Sequence, residues 1–150
     1  MDKPFYNFTI ANEALRFEFM SIGNTIIQKI VLYEHTDLDN MYNLTLSDVL
    51  FNRSTAANVV SNNGDLPKVL ATVVQTLFLF FEKYPLAVVA FAGNTPSRNR
   101  LYRIVINQNS DKQNFPFNIY GLYDGIVEPF KTDFDCDGFF ISLKPNIFTI

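Results

Sequence analysis

One amphipathic helix with clear boundaries constrains the fold of this chain more than any other feature. Apolar residues recur at helical spacing through residues 66–81. Asp65 is a good N-cap residue, and Pro67 falls in the first turn, where its missing N–H costs little. The sequence therefore predicts a helix that starts after Asp65 and stops at Tyr84-Pro85, because a residue before proline is driven out of the helical region.

A buried strand and a second helix follow the first helix. The unbroken apolar run at residues 86–92 predicts a strand that is covered on both faces. Gly93-Asn94 predicts a turn, and Thr95-Pro96 predicts a helix start with Thr95 as N-cap. The polar residues 107–114 predict the end of this second helix.

Alternation of polar and apolar residues predicts strands on both sides of these helices. Residues 50–61 are ambiguous, because their Asn, Ser and Thr content favours a loop whereas Val59-Val60 favours a short strand. Asp124-Gly125 is a strong hairpin signal. The predicted strands cover residues 6–10, 15–20, 25–33, 42–46, 117–123, 126–130 and 138–144.

The order of these elements predicts the fold class. It is β-β-β-β-α-β-α-β-β-β, which is typical of an α+β protein with a largely antiparallel sheet and two helices. The length of 150 residues favours one domain over residues 1–150. Pro129 places the strand at 126–130 on a sheet edge or near a strand end, because proline has no N–H to donate to a sheet.

Composition narrows the class of protein. Hydrophobic residues make up 48% of the chain, and sixteen residues are Phe, which predicts a folded domain with a sizeable core. The net charge of −3 argues against general affinity for nucleic acid or acidic membranes. The sequence contains no apolar signal segment or membrane-spanning run, and Cys136 is its single cysteine. We therefore expect a cytoplasmic protein without an internal disulfide or a membrane partner.

The turn from Gly93 to Arg103 is the candidate ligand-binding feature. A strand that ends in a glycine turn at a helix N-terminus presents free N–H groups and the positive end of the helix dipole. Three arginines on the helix add donors for phosphate or carboxylate. The alternative is ordinary capping, with the arginines paired to acidic residues. The predicted anion-binding residues are Asn94, Thr95, Arg98, Arg100 and Arg103.

The acidic stretch Asp133-Phe134-Asp135-Cys136-Asp137-Gly138 has the opening pattern of a calcium loop. Lys144 stands where such a loop needs a bidentate Glu, and the flanks are predicted strands. We therefore expect no metal site, but a charged turn that can pair with the arginines. Nearby negative charge should raise the pKa of the Cys136 thiol, so we do not expect a nucleophile there. His35 lies in a predicted polar loop and is expected to be solvated.

Several short segments are similar to segments of an uncharacterised family of small bacterial proteins, seen chiefly in Bacteroidetes. The resemblance covers most of the chain, including the N-terminal strands. It implies no activity, because the function of that family is unknown. The segments are Asn62-Asn63-Gly64-Asp65, Lys68-Val69-Leu70-Ala71-Thr72-Val73, Glu82-Lys83-Tyr84-Pro85, and Gly93 and Thr95 with Arg98 to Arg103.

The order of the elements carries a second resemblance. Strands, a long helix after a glycine turn, a strand, a short helix with Leu101-Tyr102 and further strands are similar to the GNAT N-acetyltransferase core. That resemblance implies an acetyl-CoA pyrophosphate on the backbone N–H groups of residues 62–66 and a general-acid role for Tyr102. Asn63-Gly64-Asp65-Leu66-Pro67 stands in place of the R/Q-x-x-G-x-G/A loop of that family.

These features lead to two functional hypotheses. The first is a small non-enzymatic binding or regulatory domain, without a cofactor, that holds an anionic group at the turn from Gly93 to Arg103. The anionic group would belong to a protein partner, a nucleotide or a nucleic acid. The alternative is a GNAT-like N-acyltransferase that uses acetyl-CoA, or a catalytically silent relative, with Tyr102 as its acid. Leu79, beside Phe78 on the solvent stripe of the first helix, is a candidate homodimer surface.

Overall fold

The structure, a computed structural model, describes residues 4–49, 55–56, 63–92, 96–110 and 115–144. Within these ranges the chain forms strands and two helices, and the predicted α+β class is confirmed. The elements are β1 (Thr9–Ala11), β2 (Arg16–Ile22), β3 (Ile26–His35), β4 (Met41–Val49), β5 (Thr55–Ala56), α1 (Leu66–Lys83), β6 (Val88–Phe91), α2 (Pro96–Ser110), β7 (Phe117–Tyr123), β8 (Ile126–Pro129) and β9 (Phe139–Leu143).

The chain divides into two compact units, Met1–Glu34 with Leu44–Tyr84, and His35–Asn43 with Pro85–Ile150. In the first unit the strand order is β1-β2-β3-β4, with β5 beside β4. In the second unit the order is β6-β9-β7-β8. The pairs β1–β2, β2–β3, β4–β5, β6–β9, β7–β8 and β7–β9 are antiparallel, which confirms the prediction of a largely antiparallel sheet. The single domain over residues 1–150 stays a prediction.

Helix α1 packs one face against the strands of the first unit. Phe80 is fully buried and stacks on the Tyr33 ring, with 4.2 Å between ring centroids. The Tyr33 hydroxyl shares a hydrogen bond with Thr76 Oγ1 at 2.8 Å, and the Tyr6 N–H donates to Thr72 Oγ1 at 2.9 Å. Because buried polar groups need partners, these two bonds fix the helix rotation that apolar packing alone would leave loose.

The ends of α1 match the prediction, but the predicted capping role of the Asp65 side chain is wrong. Asp65 directly precedes the helix, yet its carboxylate makes no capping hydrogen bond. Its Oδ2 instead accepts from the Tyr6 hydroxyl at 2.6 Å and from the Ser21 hydroxyl at 2.5 Å. Two charge-assisted bonds to hydroxyls thus replace one bond to the helix backbone. Asp65 ties the start of α1 to β2.

Other element boundaries differ from the predictions by a few residues. β6 spans Val88–Phe91 and is shorter than the predicted strand at 86–92. Val89 and Phe91 are buried, whereas the intervening side chains are half-buried, so only one face of this strand is fully covered. Helix α2 continues to Ser110, past its predicted end. The ambiguous region contributes β5, and Val59-Val60 lies outside the described residues.

The β7–β8 hairpin forms where the sequence predicts it. Asp124 and Gly125 have φ values of 50° and 82°, as a tight two-residue turn with right-handed strand twist requires. Tyr123 and Ile126 flank this turn as a pair. β8 is the outermost strand in the order of the second unit, and Pro129 forms its last pair. The predicted edge position of this strand is confirmed.

Candidate functional site

The structure describes only part of the predicted anion-binding turn. Gly93, Asn94 and Thr95 lie outside the described residues, as does the side chain of Arg98. Helix α2 begins at Pro96, so the predicted helix start is confirmed. The two remaining candidates, Arg100 and Arg103, are described on this helix.

Arg100 and Arg103 converge on one carboxylate of the acidic stretch. Arg103 Nη2 lies 3.3 Å from Asp135 Oδ1, and Arg100 Nη2 lies 3.6 Å from Asp135 Oδ2. Arg103 Nη1 also donates to the Thr132 carbonyl oxygen at 3.2 Å. The Arg103 Nε atom is buried and has no hydrogen-bond partner in the described part of the chain. The expectation that the acidic turn pairs with the arginines is confirmed for these two residues.

Helix α2 and β7 together hold the acidic connection between β8 and β9. The side-chain amide of Asn99 donates to the Asp137 carbonyl oxygen at 3.2 Å. The Asp137 N–H donates to the Leu122 carbonyl oxygen at 2.8 Å, and the Leu122 N–H donates to the Gly138 carbonyl oxygen at 3.0 Å. This connection is therefore anchored at several points, although its sequence has the composition of a loop.

A glycine makes one further anchor possible. A Cβ atom at Gly121 would lie 2.6 Å from a Tyr123 ring carbon, so only glycine leaves room for this ring. The Tyr123 hydroxyl then accepts from the Lys131 N–H at 2.7 Å. The pKa of the Tyr123 hydroxyl is raised, and burial is the main cause. The sequence signal for this contact is a glycine two residues before a tyrosine on the same face of a strand.

The acidic stretch does not form a metal site among the described residues. No group of three or more His, Cys, Asp or Glu side chains in that part of the chain is arranged to hold an ion. Asp135 is committed to the two arginines, and the backbone of Asp137 is committed to β7. The expected absence of a metal stays a prediction.

Cys136 lies within this stretch, and its thiol is buried. The pKa of the Cys136 thiol is raised, and burial is the main cause. Asp137 and Asp135 raise this pKa further, whereas a backbone hydrogen bond from Gly138 and the charge of Arg103 lower it. The predicted direction is confirmed, but the main cause is burial and not nearby negative charge.

We expect the Cys136 thiol to react slowly with a disulfide reagent such as DTNB at mildly alkaline pH. The raised pKa lowers the thiolate fraction at a given pH, and burial blocks access as well. The native protein should therefore react measurably more slowly than the protein unfolded in concentrated guanidinium chloride. Equal rates in the two states would show that the thiol is accessible.

The residues implied by the acetyltransferase resemblance do not form an open site. The Tyr102 side chain is 3% exposed, and its ring packs on Phe91 with 4.8 Å between centroids. Asn63 is also buried, and its carbonyl oxygen accepts from the Asn24 N–H at 2.9 Å. The turn before α1 is therefore closed by the β2–β3 turn where it is described. These residues do not fit an acetyl-CoA pyrophosphate or an exposed general acid.

Asn63 has a structural role that the sequence prediction missed. Its Oδ1 accepts from the Thr25 N–H at 2.8 Å. Its Nδ2 donates to the Ser21 hydroxyl at 3.0 Å and to the Thr25 carbonyl oxygen at 2.8 Å. The amide thus completes the turn between β2 and β3 from outside the hairpin. A sequence pattern for this contact does not exist, because its partners are about forty residues away.

A buried ion pair in the first unit also escaped the sequence prediction. Lys29 Nζ lies 2.6 Å from Asp48 Oδ1, and the two side chains are 0% and 5% exposed. Lys29 pairs with Phe19 across β2 and β3, so it belongs to the core-facing side of the hairpin. Lys29, Val31 and Tyr33 are two residues apart along β3, so their side chains share one face of the strand. This spacing was the sequence signal that Lys29 faces the core.

The structure also describes His35 and Leu79, the two remaining residues that the sequence analysis singled out. His35 is exposed, as expected, but its predicted position in a loop is wrong, because it is the last residue of β3, with its ring 5.0 Å from the Tyr42 ring. Leu79 is half-buried on α1, as is Phe78. The homodimer surface at Leu79 stays a prediction.

The described residues form an α+β fold with largely antiparallel strands and two helices. The chain belongs to DUF6934, a family of unknown function, which matches residues 2–144. The predicted membership of an uncharacterised family is confirmed, and no finding supports a Bacteroidetes origin or a GNAT relationship. No curated protein and no solved structure matches the chain. No helix in the described ranges has both the length and the apolar composition to cross a membrane.

Proposed function

We propose that this protein is a small non-enzymatic binding domain that holds an anionic group at the turn from Gly93 to Arg103. The arginine pairing that the alternative expects is present at Asp135, and the observation that carries the proposal is the surplus of positive charge that it leaves, since the guanidinium groups of Arg100 and Arg103 share this one carboxylate. The anionic group would belong to a protein partner, a nucleotide or a nucleic acid.

The charge balance of this cluster supports the proposal. Two guanidinium groups carry two positive charges and ten N–H donors, whereas the shared carboxylate supplies one negative charge. The Arg103 Nε–H is buried without a partner among the described residues. A phosphate or carboxylate ligand would supply further acceptors to the exposed guanidinium group of Arg100.

The exposure of the cluster supports ligand access. The side chains of Arg100 and Asp135 are 54% and 62% exposed, whereas that of Arg103 is 17% exposed. The Arg100–Asp135 separation of 3.6 Å is too long for a good hydrogen bond. An exposed ion pair of this kind contributes little to stability, so an incoming anion can replace Asp135 at Arg100 at low cost. Arg103 would act as the fixed donor and Arg100 as the adjustable one.

The proposed setting is the bacterial cytoplasm, with no cofactor. The single cysteine in the sequence is compatible with a reducing compartment. We also propose that the protein can form a homodimer, in which a second copy of the chain binds through the Leu79 side of α1.

Phosphate binding to three variants tests this function. Arg100→Gln should weaken the binding of inorganic phosphate about threefold or more, measured by titration calorimetry at low salt. Asp135→Asn should strengthen it by a similar factor, because it removes the internal competitor for both guanidinium groups. The affinity of the wild-type protein should fall as salt is added.

Arg16→Gln is the matched control, because Arg16 also forms a partly exposed pair, with Glu18 at 3.1 Å. This variant should bind phosphate like the wild type. Equal phosphate affinities of the wild type and the Asp135→Asn variant would contradict the proposal, as would an equal loss in the Arg16 and Arg100 variants.

A further inference from the structure

An open cavity of about 360 Å³ lies beside β7 in the second unit. It is lined by Phe117, Ile119 and Phe130, of which Phe117 is buried, with Thr132 and Lys144 among its polar residues. This volume is near the lower end of the range for small-molecule pockets, and a mainly apolar wall with a few polar groups is their usual composition.

The cavity arises because β8 covers only part of β7. The register of the two strands runs from Tyr123 paired with Ile126 to Tyr120 paired with Pro129. One more hydrogen bond follows, from the Phe130 N–H to the Ile119 carbonyl oxygen at 3.1 Å. After Phe130 the chain no longer runs alongside β7. The first residues of β7 therefore have no strand beside them on this side, and the cavity lies there.

The wall opposite β7 is held in place from outside the cavity. Arg103 Nη1 donates to the Thr132 carbonyl oxygen, and the Lys131 N–H donates to the Tyr123 hydroxyl. On the remaining side, the Lys144 N–H donates to the Pro116 carbonyl oxygen at 2.9 Å. The cavity is therefore bordered by anchored backbone, which favours a preformed pocket over one that must open.

Among the described residues, the cavity has one positive charge without a counterion. The Lys144 side chain is exposed, and its ammonium group has no ion pair within the described residues. Lys131, the other lysine of this region, is paired with Glu128 at 3.0 Å. An ammonium group beside aromatic walls complements a ligand that has a flat apolar body and one negative charge.

We propose that this cavity binds a small aromatic carboxylate, with its ring against the half-buried Phe130 and its carboxylate at Lys144. The site lies outside the turn from Gly93 to Arg103 and is a second binding function. Arg103 contributes to it only through the backbone of Thr132, so the two sites can be tested separately.

Indole-3-acetate is a suitable probe because the protein contains no Trp. Excitation at the red edge of the indole band therefore reports on the probe with little signal from the protein. Indole-3-acetamide is the matched neutral probe, because it has the same ring and differs in the carboxylate. We expect saturable binding of both probes, with the acid binding about three- to fivefold more tightly than the amide.

Two lysine variants test the position of the carboxylate. Lys144→Met keeps an apolar side chain of similar length, and it should abolish the preference for the acid without weakening the amide. Lys131→Met is the matched control, because its ammonium is already paired with Glu128. It should keep the preference, as should Arg100→Gln, which changes only the other proposed site.

The ring position has a separate readout. In the wild-type protein with labelled phenylalanine, indole protons should show nuclear Overhauser contacts to Phe130. The proposal is overturned if neither probe binds saturably, if acid and amide bind equally, or if the contacts arise from other rings. Loss of the acid preference in the Arg100 variant would also overturn it, because the probe would then occupy the arginine cluster.

Discussion

Replacing Lys29 by methionine is expected to lower the free energy of unfolding by about 3–5 kcal/mol, because it leaves a buried carboxylate without its ammonium partner. Lys29 is fully buried and Asp48 is 5% exposed, so water cannot take the place of the lost partner. Chemical denaturation with guanidinium chloride, followed by circular dichroism, measures the change.

The double variant Lys29→Met with Asp48→Leu separates the charge effect from packing. It should recover most of the lost stability, because both partners are then apolar and of similar size. Arg16→Gln breaks a partly exposed pair and should change the unfolding free energy by about 1 kcal/mol or less. A Lys29→Met variant as stable as the Arg16 variant would contradict the burial of the ion pair.

Replacing Gly23 by alanine is expected to lower the free energy of unfolding by about 2–4 kcal/mol, because the new methyl group has no space. A Cβ atom at Gly23 would lie 1.8 Å from the Asn63 carbonyl oxygen and 2.9 Å from its carbonyl carbon. Both are backbone atoms, so no side-chain rotation relieves the clash. Thermal and chemical unfolding should both show the loss.

Gly138→Ala is the matched control for this substitution. A Cβ atom there would make contacts of 3.5 Å with Ala92 Cβ and 3.6 Å with the Phe91 carbonyl oxygen, which are ordinary distances. We expect a change of about 1 kcal/mol or less. If Gly23→Ala were as mild as Gly138→Ala, the close approach of the β2–β3 turn to Asn63 would be wrong.

Local signals predicted most of the secondary structure. Helix α1 has the predicted bounds because its apolar spacing, its first-turn proline and Tyr84-Pro85 all agree. The β7–β8 turn forms at Asp124-Gly125 because few other residue pairs adopt two successive positive φ values. In both cases the residues that decide the structure are neighbours in the chain.

Contacts between distant residues were not predictable in the same way. The carboxylate of Asp65 had a local capping role available, yet it bonds to Ser21 on β2 and to Tyr6 ahead of β1, both more than forty residues away. For Lys29 the strand alternation indicated a buried face, but the partner Asp48 lies on another strand. Such pairs depend on strand order, and the sequence does not show strand order directly.

Only part of the candidate site was predictable, because its residues also come from distant segments of the chain. The sequence showed that arginines and acidic residues were available, and the structure joins Arg100 and Arg103 to Asp135. The cavity at Lys144 had no sequence signal, because it results from the point where Pro129 ends the pairing of β8. A gap between chain segments has no motif of its own.

The outer strands of the two units also bear on how this protein behaves at high concentration. An exposed strand edge is a template for pairing with another chain and so for aggregation. β8, the outermost strand of the second unit, has four residues, one of which is Pro129. β1, the outermost strand of the first unit, has three. Short edges and a proline without an N–H leave little ladder for a second molecule to extend, which disfavours intermolecular β-sheet growth at these two edges.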